Sequence, residues 1–352
     1  MIKMITNKDF FYSSLDIVAA FLISATIAYL LTPTIRVFAK RIGLVAKVSD
    51  DTMHRHSTPL LGGVAVFAAF FLAVIFTYGV NRDIASVLIG AAILLLIGIF
   101  DDRYGMMPKI KLFGQIVAAL TVVKMGVKVD FIENYYLASV FSCIWIIGIT
   151  NAINLVDGLD GLSAGITAIC AFFFGILSWE RGDFAVGTLS FALCGSSLGF
   201  LRYNFPRAYI FMGDTGTLFV GFLLATIAIL GGWSSSTQIT SMAMPVFILG
   251  YPIFDTSLVI VSRLREGRSI FQGGHDHPHH RLVQMGFKKR HAVLMIFFIT
   301  FSLGFSGYIL SKIKSPVTAI WLMTIVLFSM SLLAFKLFLV DPYAKKEAKK
   351  RR

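Results

Sequence analysis

The chain has 352 residues, of which 57% are apolar and 14% charged, and its mean hydropathy is +0.78. A soluble domain is nearer half apolar and a quarter charged, so this composition excludes a soluble globule, a disordered chain and a coiled coil. The net charge of +13, in so apolar a chain, reports membrane topology and anionic lipid and gives no reason to expect a nucleic-acid partner.

A bilayer is spanned by about 20 apolar residues. The apolar runs predict transmembrane helices near 16–37, 62–80, 84–100, 110–126, 137–154, 162–179, 184–201, 215–232, 242–262, 291–310 and 317–340. The first run is too long for the core of a cleavable signal and reads as a permanent span. The fourth and fifth have the weakest patterns, because Lys111, Gln115, Lys124 and Asn151 lie at or near their ends. Cys143, Cys170 and Cys194 all fall inside apolar runs without a CxxC pair, as small buried hydrophobes do. The expected fold is an all-α polytopic membrane protein of about eleven transmembrane helices, a single transmembrane domain over 1–352 with a basic tail at 341–352.

Eleven spans place the termini on opposite sides. The segments 36–61, 101–111, 151–161, 202–214, 263–290 and 341–352 carry 23 Lys and Arg, against eight in the opposite set. The positive-inside rule then makes the N-terminus extracytoplasmic and the C-terminus cytoplasmic.

The acids gather on the expected cytoplasmic face, and ionisable groups against apolar helices imply function. Asp101 and Asp102 follow the run ILLLIGIF, where adjacent carboxylates need a cation or a base nearby; Arg103, Lys109 and Lys111 are at hand. In NAINLVDGLDGL, Asn151 and Asn154, like Asp157 and Asp160, are three residues apart and can share a helix face. Asp214, between Gly213 and Gly216, opens the next span, where an acid reads either as a helix cap or as a ligand for a hard cation. Five of the seven histidines lie between 275 and 291. That loop, which includes Arg268, His277, His279, His280 and Arg281, suits phosphate oxygens better than zinc. Acids, glycines, Arg and His on one face together suggest a metal-assisted phosphate site at a membrane surface.

At these residues the sequence resembles the polyprenyl-phosphate N-acetylhexosamine-1-phosphate transferases of glycosyltransferase family 4, the group that includes WecA, TagO and MraY. The motifs are PLLGGVAV (59–66), DDRYGMMPKIKL (101–112), NAINLVDGLDGL (151–162), NFPRAYIFMGDTG (204–216), PIFDTSLVIVSRLREGRSIF (252–271) and HPHHRL (277–282). The H-x-H-H pattern resembles the WecA-like branch, whereas Leu60 and Ser57 depart from the common form of the first motif.

The resemblance implies transfer of a sugar-1-phosphate, most simply GlcNAc-1-phosphate, from a UDP-N-acetylhexosamine to polyprenyl phosphate. It implies an inner (plasma) membrane enzyme with its active site on the cytoplasmic face and a homodimer as oligomer. It implies Mg²⁺ or Mn²⁺ held by Asp214 with Asp102. Asp101 and Asp102 match the essential acidic pair, Asp157 a proposed nucleophile, and His279 and His280 the essential histidines. Gly158, Leu159, Asp160, Asn204 and Phe211 match positions that hold uridine, and His54 a donor-loop position. Lys111, Asn151, Asn154, Arg268 and His277 complete the expected substrate contacts. Two rival readings are a transferase for UDP-MurNAc-pentapeptide and a secondary transporter. A transporter fits poorly, because the acids crowd one face and no internal repeat is visible.

Overall fold

The computed structural model describes residues 7–46, 57–232, 238–270, 274 and 276–340. The helices are α1 (Asn7–Arg41), α2 (Gly62–Thr77), α3 (Arg82–Tyr104), α4 (Pro108–Lys124), α5 (Tyr135–Val156), α6 (Leu162–Glu180), α7 (Phe184–Asn204), α8 (Asp214–Leu230), α9 (Gln238–Ile248), α10 (Gly250–Arg265), α11 (Pro278–Gln284), α12 (Lys289–Lys312) and α13 (Pro316–Phe338). Between α1 and α2, strands β1 (Val45–Ala46) and β2 (Thr58–Pro59) pair antiparallel, Val45 opposite Pro59. The chain divides into two compact units, Met1–Gly232 and Trp233–Arg352.

The protein is all-α and polytopic, as its apolar runs predict. Among the described residues, seven helices are long and apolar enough to cross a membrane: α1 from Ser13, α3, α5, α6, α7, α12 and α13. Helices α2 and α8 are apolar but shorter, and α4 has 17 residues with a lysine at its end. The run expected as one span over 242–262 is instead two helices, α9 and α10, meeting at Leu249. Pro252 explains the break: it has no N–H to donate to the Ile248 carbonyl, so the ladder stops there. It resumes with Ile253 N–H to Leu249 O at 3.2 Å. Helix α11 was not predicted from apolar runs, and it opens on Pro278, a residue suited to a first turn.

In the first unit α8 is the core. Every residue from Thr215 to Ile229 is buried, as expected of a helix apolar on all sides. Helices α3 and α5 flank it, and α7 packs against α1 and α6. Ala20, Ser24, Ala28 and Thr32 of α1 are all 0% exposed. Their spacing of four puts them on one face, and small side chains there let two helices approach closely in lipid.

In the second unit α12 packs against α9, α10 and α11. Only Ala319 and Leu337 of α13 are buried, so most of its apolar surface faces outward. Helix α10 runs against that pattern, burying Asp255, Ser262 and Arg263.

Ala28→Leu should overpack the α1 stripe. We expect a loss of about 1–3 kcal/mol, read as a lower thermal-unfolding midpoint in detergent.

Candidate active site

The first unit gathers its acids where α3, α4, α5 and α8 end or begin. Asp101 and Asp102 lie in the last turn of α3, and Asp214 is the first residue of α8. A helix N-terminus leaves N–H groups without partners, and here a carboxylate from another helix supplies them. Asp102 Oδ1 accepts the Asp214 N–H at 3.0 Å, and Oδ2 accepts the Thr215 N–H at 3.1 Å and the Thr215 hydroxyl at 2.6 Å. Two glycines make the approach possible. A Cβ on Gly98, one turn earlier, would collide with the Asp214 carbonyl and Thr215 backbone. A Cβ on Gly213 would collide with the Asp102 carboxylate, and Gly213 has φ +69° besides.

Lys111 joins two of the acids. Its ammonium lies 2.8 Å from Asp101 Oδ2 and 2.5 Å from Asp214 Oδ2. Asp101 Oδ1 accepts the Met106 N–H at 2.6 Å, which folds the α3–α4 turn onto the carboxylate. Asn154 Nδ2, from α5, donates to the other oxygen of Asp214 at 2.9 Å and to Thr217 Oγ1 at 2.7 Å. One turn back, Asn151 and Gln115 exchange side-chain hydrogen bonds, and Asn151 Nδ2 also donates to Ile147 O at 2.8 Å. The Asn151 amide thus has its hydrogen bonds within the protein.

The loops beside this cluster are pinned by the other expected residues. Asp160 Oδ2 accepts the Ala208 N–H at 3.0 Å. Asn204, 3% exposed, donates to Ile210 O at 2.8 Å. Phe211 N–H donates to Pro59 O at 2.8 Å and its carbonyl accepts Gly62 N–H at 2.9 Å, so motif 59–66 braces motif 204–216. Leu61 enters α2 at φ +77°, a conformation unusual for a branched side chain. Gly158 and Asp157 form the turn that closes α5, with Leu159 buried beneath it.

The second unit holds the histidines. His277 Nδ1 lies 2.7 Å from Asp255 Oδ2, both buried. The His277 and His279 rings stack at 5.4 Å, and His279 and His280 lie 4.3 Å apart. Ligand atoms of Asp255, His277 and His279 fall within 4.8 Å of one another. Asp276 accepts from Arg263 Nε at 3.1 Å and Arg268 Nη2 at 2.7 Å. Burial alone would raise this carboxyl; hydrogen bonds from Arg268 and Arg263 outweigh it and hold it below its ordinary value. Arg281 is 2% exposed. It donates to Asp276 O, Ser262 Oγ, Leu337 O and Val340 O at 2.7–2.9 Å, tying α11 to α10 and to the end of α13. Arg268 and Arg281, expected to offset phosphate charge, thus have partners within the protein. His54 and the basic tail lie outside the described residues.

The structure brings Asp101, Asp102, Lys111, Asn154 and Asp214 into one hydrogen-bonded network. Sequence reasoning missed Thr215, Thr217, Gln115 and Asp255. A hydroxyl directly after the motif acid Asp214 and another directly after the motif glycine Gly216 were the available signal for the threonines. For Gln115 it was the four-residue spacing from Lys111.

An all-helical membrane protein with an acidic network at buried helix ends is the class that fold and site define. Residues 84–232 match the glycosyl transferase family 4 profile. A Bacillus subtilis (strain 168) protein named "Probable undecaprenyl-phosphate N-acetylglucosaminyl 1-phosphate transferase" is 36% identical over 323 residues, 89% of this chain and 88% of that one. A Mycobacterium tuberculosis (strain CDC 1551 / Oshkosh) "Decaprenyl-phosphate N-acetylglucosaminephosphotransferase" is 34% identical over 316 residues, 78% of each chain. An Escherichia coli (strain K12) "Undecaprenyl-phosphate alpha-N-acetylglucosaminyl 1-phosphate transferase" is 28% identical over 306 residues, 80% of each. The chain belongs to glycosyl transferase family 4, among the polyprenyl-phosphate N-acetylhexosamine-1-phosphate transferases.

Asp157 lies between the ends of two spans, half-buried by surface area but closely surrounded by protein. Burial, then the charges of Asp214, Asp102 and Asp160, push its carboxyl from 3.8 up to about 7. The folded state thus favours the protonated acid, and the associated stability is present below the unfolded value and lost as pH rises through about 7. In EDTA the unfolding midpoint should fall between pH 5 and pH 8 by more in the wild type than in Asp157→Asn. Equal slopes would show that Asp157 does not carry the effect.

Proposed function

We propose that this protein transfers N-acetylglucosamine-1-phosphate from the UDP-sugar to a polyprenyl phosphate such as undecaprenyl phosphate. The observation that carries the reading is the network in which the Lys111 ammonium bridges Asp101 and Asp214 while Asp102 holds the start of α8. Such a network is costly in an apolar bundle and suits diphosphate chemistry. The names of the relatives supply the substrate class.

In this reaction an oxygen of the lipid phosphate bonds to the sugar-bearing phosphorus of the donor. The bond from that phosphorus to the bridging oxygen breaks, and UMP leaves with the electron pair. The acceptor's second pKa is near ~6, so it is already largely ionised at neutral pH. The task left to the protein is to place two anionic groups in line. Asp157 then organises the site and forms no covalent intermediate. A carboxyl pushed up to about 7 is in part protonated at neutral pH, which supports that role. The loop 204–211 is assigned to the donor's uridine.

The donor set fits a hard cation. It offers carboxylate oxygens, and a cation, the Lys111 ammonium, already lies between two of them. Asp214 with Asp101 would hold Mg²⁺ or Mn²⁺, while both oxygens of Asp102 keep their bonds to α8. When bound, the ion neutralises charge on the diphosphate. The excess of Lys and Arg on the segments that carry these acids supports a cytoplasmic site in the inner membrane.

A donor panel with purified protein and undecaprenyl phosphate tests the reading. UMP release should be seen with UDP-GlcNAc and not with UDP-MurNAc-pentapeptide. EDTA should abolish it, and Asp214→Asn should lower it at least about 100-fold, as removal of one charge-stabilising group does. Full activity in EDTA would refute the cation site, and solute uptake into vesicles without UMP release would favour a transporter.

Direct attack and a covalent intermediate also differ in partial reactions. A phosphosugar on Asp157 would let labelled UMP exchange into UDP-GlcNAc without lipid. We expect exchange only when the lipid acceptor is present. Lipid-independent exchange that disappears in Asp157→Asn would overturn direct attack.

A further inference from the structure

The Gln115–Asn151 pair is a reciprocal amide ring. Gln115 Nε2 donates to Asn151 Oδ1 at 3.1 Å, and Asn151 Nδ2 donates back to Gln115 Oε1 at 2.7 Å. Gln115 is 2% exposed. Two bonds between planar amides fix both distance and orientation, and the further bond from Asn151 Nδ2 to Ile147 O at 2.8 Å holds that amide to its own helix.

Besides Gln115, helix α4 buries a narrow face of mostly small residues, Gly114, Ala118 and Ala119 with Val122 and Val123. Leu112, Phe113, Ile116, Val117 and Leu120 of α4 are 37–67% exposed. In a membrane this apolar surface gains little by choosing a helix over lipid tails, so interhelical hydrogen bonds and close packing decide how such helices register. The amide ring is the side-chain hydrogen-bonded link between α4 and α5 among the described residues.

Its position relative to the acidic network is what gives it consequence. Gln115 follows Lys111 by four residues on α4, and Asn151 precedes Asn154 by three on α5, so each pair lies on one helix face. Lys111 and Asn154 are the two side chains that hold opposite oxygens of Asp214. We infer that the Gln115–Asn151 clasp is a positioning device: it sets the register of α4 against α5 and thereby the direction of the Asp214 carboxylate. Neither amide touches the reacting atoms. The inference deepens the function proposed above and rests on it for its kinetic readout.

The test exchanges the partners. Gln115→Asn and Asn151→Gln are made singly and together; the double variant keeps the same number of methylenes across the gap. Each single variant should lose about 10- to 100-fold in kcat, as small misplacements near a reacting centre do. KM for UDP-GlcNAc and for undecaprenyl phosphate should stay within about twofold, because uniform substrate binding is untouched. The double variant should return to within about threefold of wild type, the non-additivity expected of a contacting pair. Thermal unfolding of the same four proteins gives a second, activity-independent readout, in which the double variant should be more stable than the two single effects added together.

Single variants with wild-type kcat would overturn the inference, as would a double variant no better than the product of the singles. A rise in KM at constant kcat would overturn it too, by making Asn151 a substrate contact. If the wild type itself releases no UMP, the functional reading fails, while favourable coupling in the unfolding cycle still upholds the clasp and its absence still rejects it.

Discussion

Asp102 holds the first turn of α8 from a different helix, and the rest of the acidic network takes its place from those bonds. Helix α8 is buried along almost its whole length, so water is poorly placed to satisfy its first N–H groups. Leaving them unpaired would cost a few kcal/mol each in apolar surroundings. A carboxylate meets that need with charge-assisted hydrogen bonds and complements the positive end of the helix dipole. Because Asp214 is the first residue of the capped helix, the bond that stabilises α8 also fixes where Asp214 stands. Gly98 and Gly213 then follow as necessities, since any side chain at either position would push the two acids apart.

Much of this was legible in the sequence, and the exceptions have identifiable physical causes. Ten of the eleven apolar runs became single helices because length and apolarity are local properties. The remaining one carried its own warning in Pro252, which hydropathy does not weigh. The acidic clusters were visible because charge is expensive in lipid. Their division of labour was not. Sequence position alone points to Asp214 as the cap at the start of α8, whereas the cap comes from Asp102, 112 residues away. Local rules see an N-terminus that needs an acceptor but not an acceptor arriving from another helix.

Gln115 and Arg281 show the same limit from the polar side. Gln115 read as a flaw in a weak span, because a single polar residue in an apolar run has no visible partner. Paired with Asn151, it becomes the reason the two helices stay in register. Arg281 read as one more base in a positive loop. Its fork of donors is instead spent on Ser262 and on backbone carbonyls at Asp276, Leu337 and Val340, a use suited to a planar group that stays charged when buried. Positive charge on a membrane face thus has two fates, solvent and structure, and sequence pattern does not separate them.

The two acidic centres differ in how they are closed. Asp276 is gripped by two guanidinium groups, each a rigid fork with several donors, so its charge is neutralised within the fold. Asp214 is balanced by a lysine, a point charge on a flexible stem, and by the neutral amide of Asn154. The ammonium is shared with Asp101, so two carboxylates depend on one movable cation. An ammonium has no planar geometry to defend and withdraws by rotating about single bonds. Once a ligand brings its own countercharge, the exchange therefore leaves Asp102 and the start of α8 undisturbed. The fixed cap and the movable lysine occupy neighbouring acids for that reason: one carboxylate builds the site, and the others are kept ready to be claimed.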